Sequence, residues 1–290
     1  MSETDACPEC LRRSWLLGLL GPYIERSSPH VPGLLALPNA ELVAKIAPER
    51  ATELLAAVEA KSEGRLNEEL RAADCWAVCR HSERFPGALR DTGDAPRALI
   101  GRGERGVLQQ LSQGPVVTIV GSRRATSYGR EVARSLGNEL GSAGATVVSG
   151  LAFGIDACAH RGALDAGAPT IAFLGCGPDV AYPAAHRRLW TRIAEQGAVL
   201  SELPPGATPW RWTFPARNRI MAGLAGMTVV VEAATHSGSM VTARLASGYG
   251  RQIGAVPGPV TSRASVGTNS LLSGGAVVVR DGGDVLAALG

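Results

Sequence analysis

Residues Ser149 to Asp165 read SGLAFGIDACAHRGALD, and the fold is decided here. The β-branched run Ala145 to Val148 before it predicts a buried strand, and Ile155, Ala159 and Leu164 then recur on one side of a helix. Strand, glycine turn and helix start in that order make an anion site, because unpaired backbone N–H groups and the helix dipole point at one spot. Gly150 and Gly154 let the backbone approach whatever is bound. The same arrangement stands one unit earlier. Val116 to Val120 predicts a strand, Gly121-Ser122-Arg123-Arg124 opens a turn that runs to Ser127, and Tyr128 to Ala143 predicts a helix carrying Arg130 and Arg134. Two phosphate-seeking turns therefore lie side by side.

From Val116 onward the chain alternates strand and helix as a parallel sheet requires. Further strands are expected at Thr170 to Leu174, Ala198 to Ser201, Thr228 to Val231, Ile253 to Val256 and Ala276 to Val279. Helices are expected at Ala184 to Glu195, Ala216 to Leu224 and Met240 to Tyr249. The strands are continuously apolar, so both sheet faces are covered and the class is α/β, doubly wound and mostly parallel. Ligands bind such sheets at the carboxyl ends of the strands, where these turns lie.

Residues 11 to about 70 predict a separate helical region, giving a small all-α domain over 1–71 and the main domain over 72–290. Breaks are expected at Gly21-Pro22, Pro29 and Pro32-Gly33, and a helix entry at Pro38-Asn39. Such a bundle is a scaffold, a partner surface or a DNA-backbone binder, and this one lacks a basic face. Arg71 to Gly106 reads as a transition with an edge strand at Cys75 to Cys79, then loops at Phe85-Pro86-Gly87, Asp91 to Asp94 and Gly101-Arg102-Gly103.

The net charge of +3 decides little, but only Lys45 and Lys61 are lysine. No P-loop or Schiff-base site can be built in the C-terminal two thirds without one. The start, MSETDACPEC, is no signal peptide, and no apolar run reaches spanning length. A cytoplasmic protein with no membrane association is expected. Six cysteines spread over 290 residues do not form a secreted disulfide framework. Cys7-Pro-Glu-Cys10 and Cys75-Trp-Ala-Val-Cys79, with His81 close behind, have spacings that two zinc knuckles would use. The alternative is that Cys75 and Cys79 face inward from a strand while Cys7 and Cys10 are free thiols.

A dinucleotide does not suit the turns, since Gly121-Ser-Arg-Arg is not G-x-G-x-x-G and the second strand ends in Ser149-Gly150 where a ribose-binding acid belongs. No cofactor is expected. Trp210 to Arg219 interleaves Trp210, Trp212 and Phe214 with Arg211, Arg217 and Arg219 around Asn218. Rings that stack bases and guanidinium forks that grip phosphates suit single-stranded nucleic acid. Alternatively Trp212 and Phe214 plug the core and the arginines pair with Glu202 and Glu232. Ser237-Gly238-Ser239, at another helix start, is an N-cap or a phosphate cradle.

The runs VGSRRATSYG, SGLAFGIDACAHRGAL, FPARNRIMAGL, SGSMVTARLA and GTNSLLSGGA, in that order, resemble the DprA/Smf family of DNA-processing proteins of bacterial natural transformation. The likeness covers about residues 72 to 290. It implies an extended Rossmann fold, sequence-independent binding of single-stranded DNA, a homodimer and loading of the RecA recombinase, without enzymatic activity; the N-terminal helices are similar to a sterile-alpha-motif-like domain. By the same resemblance the DNA-contacting arginine of the first turn falls on Arg123. The basic residue and phenylalanine ahead of the Arg217-Asn218-Arg219 motif fall on Arg211 and Phe214. The glycine turn falls on Ser149, Gly150, Gly154 and Asp156, and the serine turn on Ser237, Gly238 and Ser239. Two departures stand out: Phe153 takes a position where members often carry arginine, and the sequence stops at Gly290, where many members continue into a winged helix. Asp156 and His160 lie one helical turn apart, which keeps open a rival reading as a nucleotide N-glycosidase similar to the LOG phosphoribohydrolases. Their PGGxGT phosphate turn is replaced here by Ser237-Gly-Ser239. On the simpler reading, Asp156 ties down its own turn and His160 packs against it. A third reading is a protein-interaction module with a vestigial pocket.

Overall fold

Valine-rich segments build the centre of a sheet that holds ten strands among the described residues, 4–27 and 31–290 of a computed structural model. In chain order they are β1 (Thr4–Asp5), β2 (Trp76–Cys79), β3 (Ala98–Gly103), β4 (Val116–Val120), β5 (Thr146–Ser149), β6 (Thr170–Phe173), β7 (Ala198–Ser201), β8 (Met227–Val230), β9 (Gln252–Ala255) and β10 (Val277–Val278). Their order across the sheet is β1-β2-β3-β7-β6-β5-β4-β8-β9-β10. Only β3 runs against its neighbours, antiparallel to β2 and to β7. The α/β, mostly parallel class is as the apolar runs require.

Burial on both faces is visible within β4. Val117 and Ile119 pack with Leu136, Leu140 and Ile155 of helices Ser127–Ser142 and Ile155–Asp165. Val116 and Val120 point the other way, toward Ile220, Leu224 and Met240 of helices Thr213–Leu224 and Gly238–Gly248. Thr118 is fully buried between them, its hydroxyl donating to Met221 O at 3.0 Å. The chain runs from β4 outward through β5, β6 and β7, then returns to lay β8 on the other side of β4. That reversal opens a crevice beyond the ends of β4, β5 and β8.

The N-terminal helices close their cores against the sheet. Leu16, Leu20, Leu42 and Leu54 pack with Leu203, Trp212 and Ala216, while Leu11, Trp15, Leu66 and Leu70 pack with Ala77 and Ile100. No break occurs at Gly21-Pro22: one helix spans Pro8–Ser27. A Cβ on Gly21 would lie 2.5 Å from Trp210 Nε1, and Gly21 O accepts from Trp212 Nε1 at 3.0 Å. Pro22 cannot donate to the carbonyl of Gly18, yet the helix continues through it, with the two tryptophans packed at Gly21. Pro32-Gly33 likewise sits inside a short helix, Val31–Leu35, whereas Pro38 does precede helix Asn39–Ile46. The break expected at Pro29 lies outside the described residues.

Three further expectations are corrected. Gly101-Arg102-Gly103 is strand, not loop, because a Cβ at Gly101 would meet the Trp76 ring at 2.5 Å; the glycine lets that ring lie across β3. With β1 outside it, β2 is not the edge. Cys75 and Cys79 are four residues apart on extended chain, about 13 Å at 3.3 Å per residue, so they cannot share one tetrahedral metal. The Cys75 thiol donates instead to Ala73 O at 3.4 Å. Among the described residues no helix is long and apolar enough to cross a membrane.

Candidate nucleic-acid interface

The crevice at the reversal is a cleft of about 550 Å³, walled by Gly121 to Arg123, Asp156, Phe214, Arg217, Asn218 and the Ser237 to Ser239 turn. Its first wall is shaped by the turn after β4. Ser122 Oγ accepts from Arg124 N at 3.1 Å, and Thr126 caps helix Ser127–Ser142 by accepting from Gly129 N. Glu232, buried after β8, accepts from the Thr126 N–H and hydroxyl. These bonds fix the backbone and leave the Arg123 and Arg124 side chains exposed.

The second turn is built differently. Asp156 is buried in the first turn of its helix, and its Oδ2 accepts from Gly150 N at 3.2 Å and Ala152 N at 3.3 Å. A carboxylate from the chain itself thus takes the N–H groups that an external anion would need. Leu151 between them is held at φ +56°, a left-handed conformation unusual for leucine, with its carbonyl 3.0 Å from His186 Nδ1. Arg217 is also buried; its Nη1 donates to Gly150 O at 2.6 Å and Phe173 O at 2.5 Å, locking the ends of β5 and β6 together. A Cβ on Gly150 would stand 2.0 Å from that nitrogen, so any side chain there would displace the buried guanidinium. Burial pushes the Asp156 carboxyl up, opposed by Arg217 and the two N–H groups, and pushes the Arg217 guanidinium down.

Aromatic rings lie beside the exposed arginines. The Arg123 guanidinium sits 5.4 Å from the Phe214 ring centre, Tyr182 packs 5.9 Å from the same ring, and Phe153 packs edge-on to His186 at 4.7 Å. Beyond Arg123 a second cleft, about 490 Å³, is lined by Arg123, Arg124, Arg130, Arg161 and Phe153. Among the described residues none of these four guanidiniums is ion-paired. Arg161, Phe153 and Tyr182 were not anticipated as one face. Their signal was the placing of two aromatics in turns, Phe153 just before Gly154 and Tyr182 before Pro183, where no core can bury them.

Gly121, Ser122, Arg123, Phe214, Asn218, Ser237, Gly238 and Ser239 come together at the cleft as expected from the sequence. Ser237 Oγ and Ser239 Oγ lie 2.7 Å apart at the start of helix Gly238–Gly248, and Asn218 Nδ2 reaches Gly238 O at 3.5 Å. Five residues have other roles. Ser149 is fully buried, its hydroxyl donating to Ile119 O. Arg219 has 1% of its side chain exposed and binds Glu202 at 2.8 Å, with Asp94 at 3.8 Å, so it cannot reach a ligand. Trp212 plugs the helical core, while Arg211, 97% exposed, stands outside the cleft with Glu25 at 3.8 Å. His160 does not meet Asp156. Its Nδ1 lies 2.9 Å from Thr170 Oγ1, whose own proton goes to Val147 O, so Nδ1 carries the hydrogen. Burial pushes the His160 imidazole down to about 3.

The sequence profile of the DNA recombination-mediator protein A family matches residues 76–290. The putative DNA processing protein DprA of Mycobacterium tuberculosis is 47% identical over 220 residues, 75% of this chain and 56% of the relative. Protein Smf of Escherichia coli is 41% identical over 223 residues, 74% of this chain and 59% of the relative. The chain thus spans little more than half the length of these two relatives. Among solved structures, DNA processing protein A of Streptococcus pneumoniae superposes with a TM-score of 0.76 at 32% identity, covering 96% of this chain and 95% of that one. The Helicobacter pylori protein, solved to describe its single-stranded DNA binding mode, superposes with a TM-score of 0.65 at 32% identity over 73% of this chain and 98% of its own.

Proposed function

The chain belongs to the DNA recombination-mediator protein A family, and from that premise we propose that it binds single-stranded DNA at the ends of β4, β5 and β8 and passes the strand to a RecA-class recombinase. The observation that carries this reading is Arg123. It is exposed, unpaired among the described residues, placed over Phe214, and shared by both clefts. A strand laid from the serine turn across Phe214 and Tyr182 into the four-arginine cleft has rings for its bases and forks for its phosphates at every step. Stacking rings and phosphate-gripping guanidiniums favour no base in particular, so binding on this reading is independent of sequence. The reading includes a homodimer working in the cytoplasm and no bond cleavage, since Asp156 and His160 are each committed to the fold.

Fluorescence anisotropy of labelled oligo-dT, with the matching duplex as competitor and salt varied, tests it. Expected is salt-sensitive binding that the duplex does not displace. No binding at low salt overturns the reading. Release of adenine from AMP by the purified protein would replace it with the phosphoribohydrolase.

A further inference from the structure

Two short pieces of chain meet where β1 joins the sheet. Cys7 and Cys10 flank Pro8-Glu9 at the entry of helix Pro8–Ser27; Cys79 ends β2, and His81 lies in the turn just beyond it. The parallel pairs Thr4↔Ala77 and Asp5↔Val78 bring Cys7 alongside Cys79. The Cys7 N–H donates to Cys79 Sγ at 3.4 Å, and the two sulfurs are 4.0 Å apart. His81 Nδ1 lies 3.4 Å from Cys7 Sγ, 3.5 Å from Cys10 Sγ and 3.9 Å from Cys79 Sγ. One ligand atom from each of the four residues falls within 4.8 Å of all the others.

A tetrahedral zinc ion, with bonds of about 2.3 Å to sulfur and about 2.0 Å to nitrogen, sets S···S edges near 3.8 Å and S···N edges near 3.5 Å. The three S···N edges, 3.4 to 3.9 Å, bracket the second length, and the Cys7–Cys79 S···S edge, 4.0 Å, lies close to the first. Packing alone explains buried thiols, since Cys10 and Cys79 belong to an apolar cluster. It does not explain an exposed histidine turning one ring nitrogen onto three sulfurs. A disulfide requires sulfurs about 2.05 Å apart, and all six cysteines are free. Three soft sulfurs and one imidazole select zinc over magnesium, calcium or manganese, and four protein ligands leave no open position for catalysis.

We propose that Cys7, Cys10, Cys79 and His81 hold one structural zinc ion that staples the N-terminal strand and first helix to β2. Every helix from Pro8 to Ala72 lies in the loop that this metal closes, so the ion restricts the unfolded chain across the whole helical layer. The Cys7 N–H to the Cys79 sulfur is the outer bond that orients a thiolate ligand.

Metal analysis of the untagged full chain, purified without chelators, is the test. Expected is one zinc per chain, retained in Cys75→Ser and lost by at least fivefold in Cys10→Ser and Cys79→Ser. Less than a tenth of an equivalent of zinc in the wild type, iron in its place, or equal loss in Cys75→Ser overturns the proposal. Should the ligand variants fail to fold, the wild type refilled with Co²⁺ still decides. An intense tetrahedral d–d band with sulfur-to-metal charge transfer supports the site, and the weak band of an octahedral ion refutes it. Under a zinc chelator, hydrogen exchange should accelerate in residues 8–72 while Val116–Val120 keeps its protection; unchanged exchange in the first segment also refutes it.

Discussion

The two turns that look alike in sequence, Gly121 to Ser127 and Ser149 to Asp156, do opposite work. In the first, Ser122, Thr126 and Glu232 satisfy the backbone from within and leave two arginines in solvent. In the second, Asp156 occupies the place of an anion and Arg217 covers the carbonyl side, so both charges are spent on the fold. A strand, a glycine turn and a helix start therefore mark where an anion can be held. The nearest side-chain carboxylate decides whether that anion is a ligand or part of the chain.

Arg217→Ala breaks this contrast most severely. It strips the charged donor from Gly150 O and Phe173 O, two buried hydrogen bonds whose loss is expected to cost about 3 kcal/mol. Urea unfolding should record it. A stability change under 1 kcal/mol would mean that Arg217 faces the cleft as a ligand group.

The first turn should behave in the reverse way. Phe214→Ala removes a half-exposed ring and should leave the urea midpoint within error. Single-strand binding should weaken by about 2 kcal/mol, roughly thirtyfold, as expected for one stacked base. Arg123→Ala should cost about tenfold for every sequence alike and lower the slope of log K against log salt by about one. If instead Arg123→Ala destabilises the protein and binding is unaltered, the two turns are equivalent after all and the cleft is not a strand path.

The central parallel strands β4 to β8 were legible because each is buried throughout and so written as an apolar run; Ala198 to Ser201 coincides with β7. β3 was illegible for a local reason. Gly101-Arg102-Gly103 has loop composition, and the Trp76 ring that makes glycine necessary there comes from a neighbouring strand. Arg123, Phe214 and the serine turn could be read as site residues, while Arg219 could not be separated from Arg217. Two residues apart on a helix, they point about 200° from one another, one toward Gly150 and the other toward Glu202 and Asp94. Glu202 and Asp94 lie on other elements, so spacing along the sequence carried no warning. The proposed zinc ligands were half legible for the same reason: Cys7 and Cys10 have knuckle spacing, but only the pairing of β1 with β2 brings Cys79 and His81, rather than Cys75, beside them.

The smallest expected effect concerns Arg211, the one arginine of its stretch left in solvent. Its Nε lies 3.8 Å from Glu25 Oε1, and Glu25 Oε2 accepts from Trp212 N at 3.3 Å. Glu25→Gln keeps an oxygen for that N–H and removes only the charge. An exposed pair of this kind is worth about 0.2–1 kcal/mol and is screened by salt. Freed from it, Arg211 should strengthen single-strand binding two- to threefold at low salt, with the gain fading as salt rises. In an Arg211→Ala background the same substitution should gain less. An equal gain in both backgrounds would mean that Glu25 repels the strand directly, and the path would then run past the N-terminal helix rather than only across the strand ends.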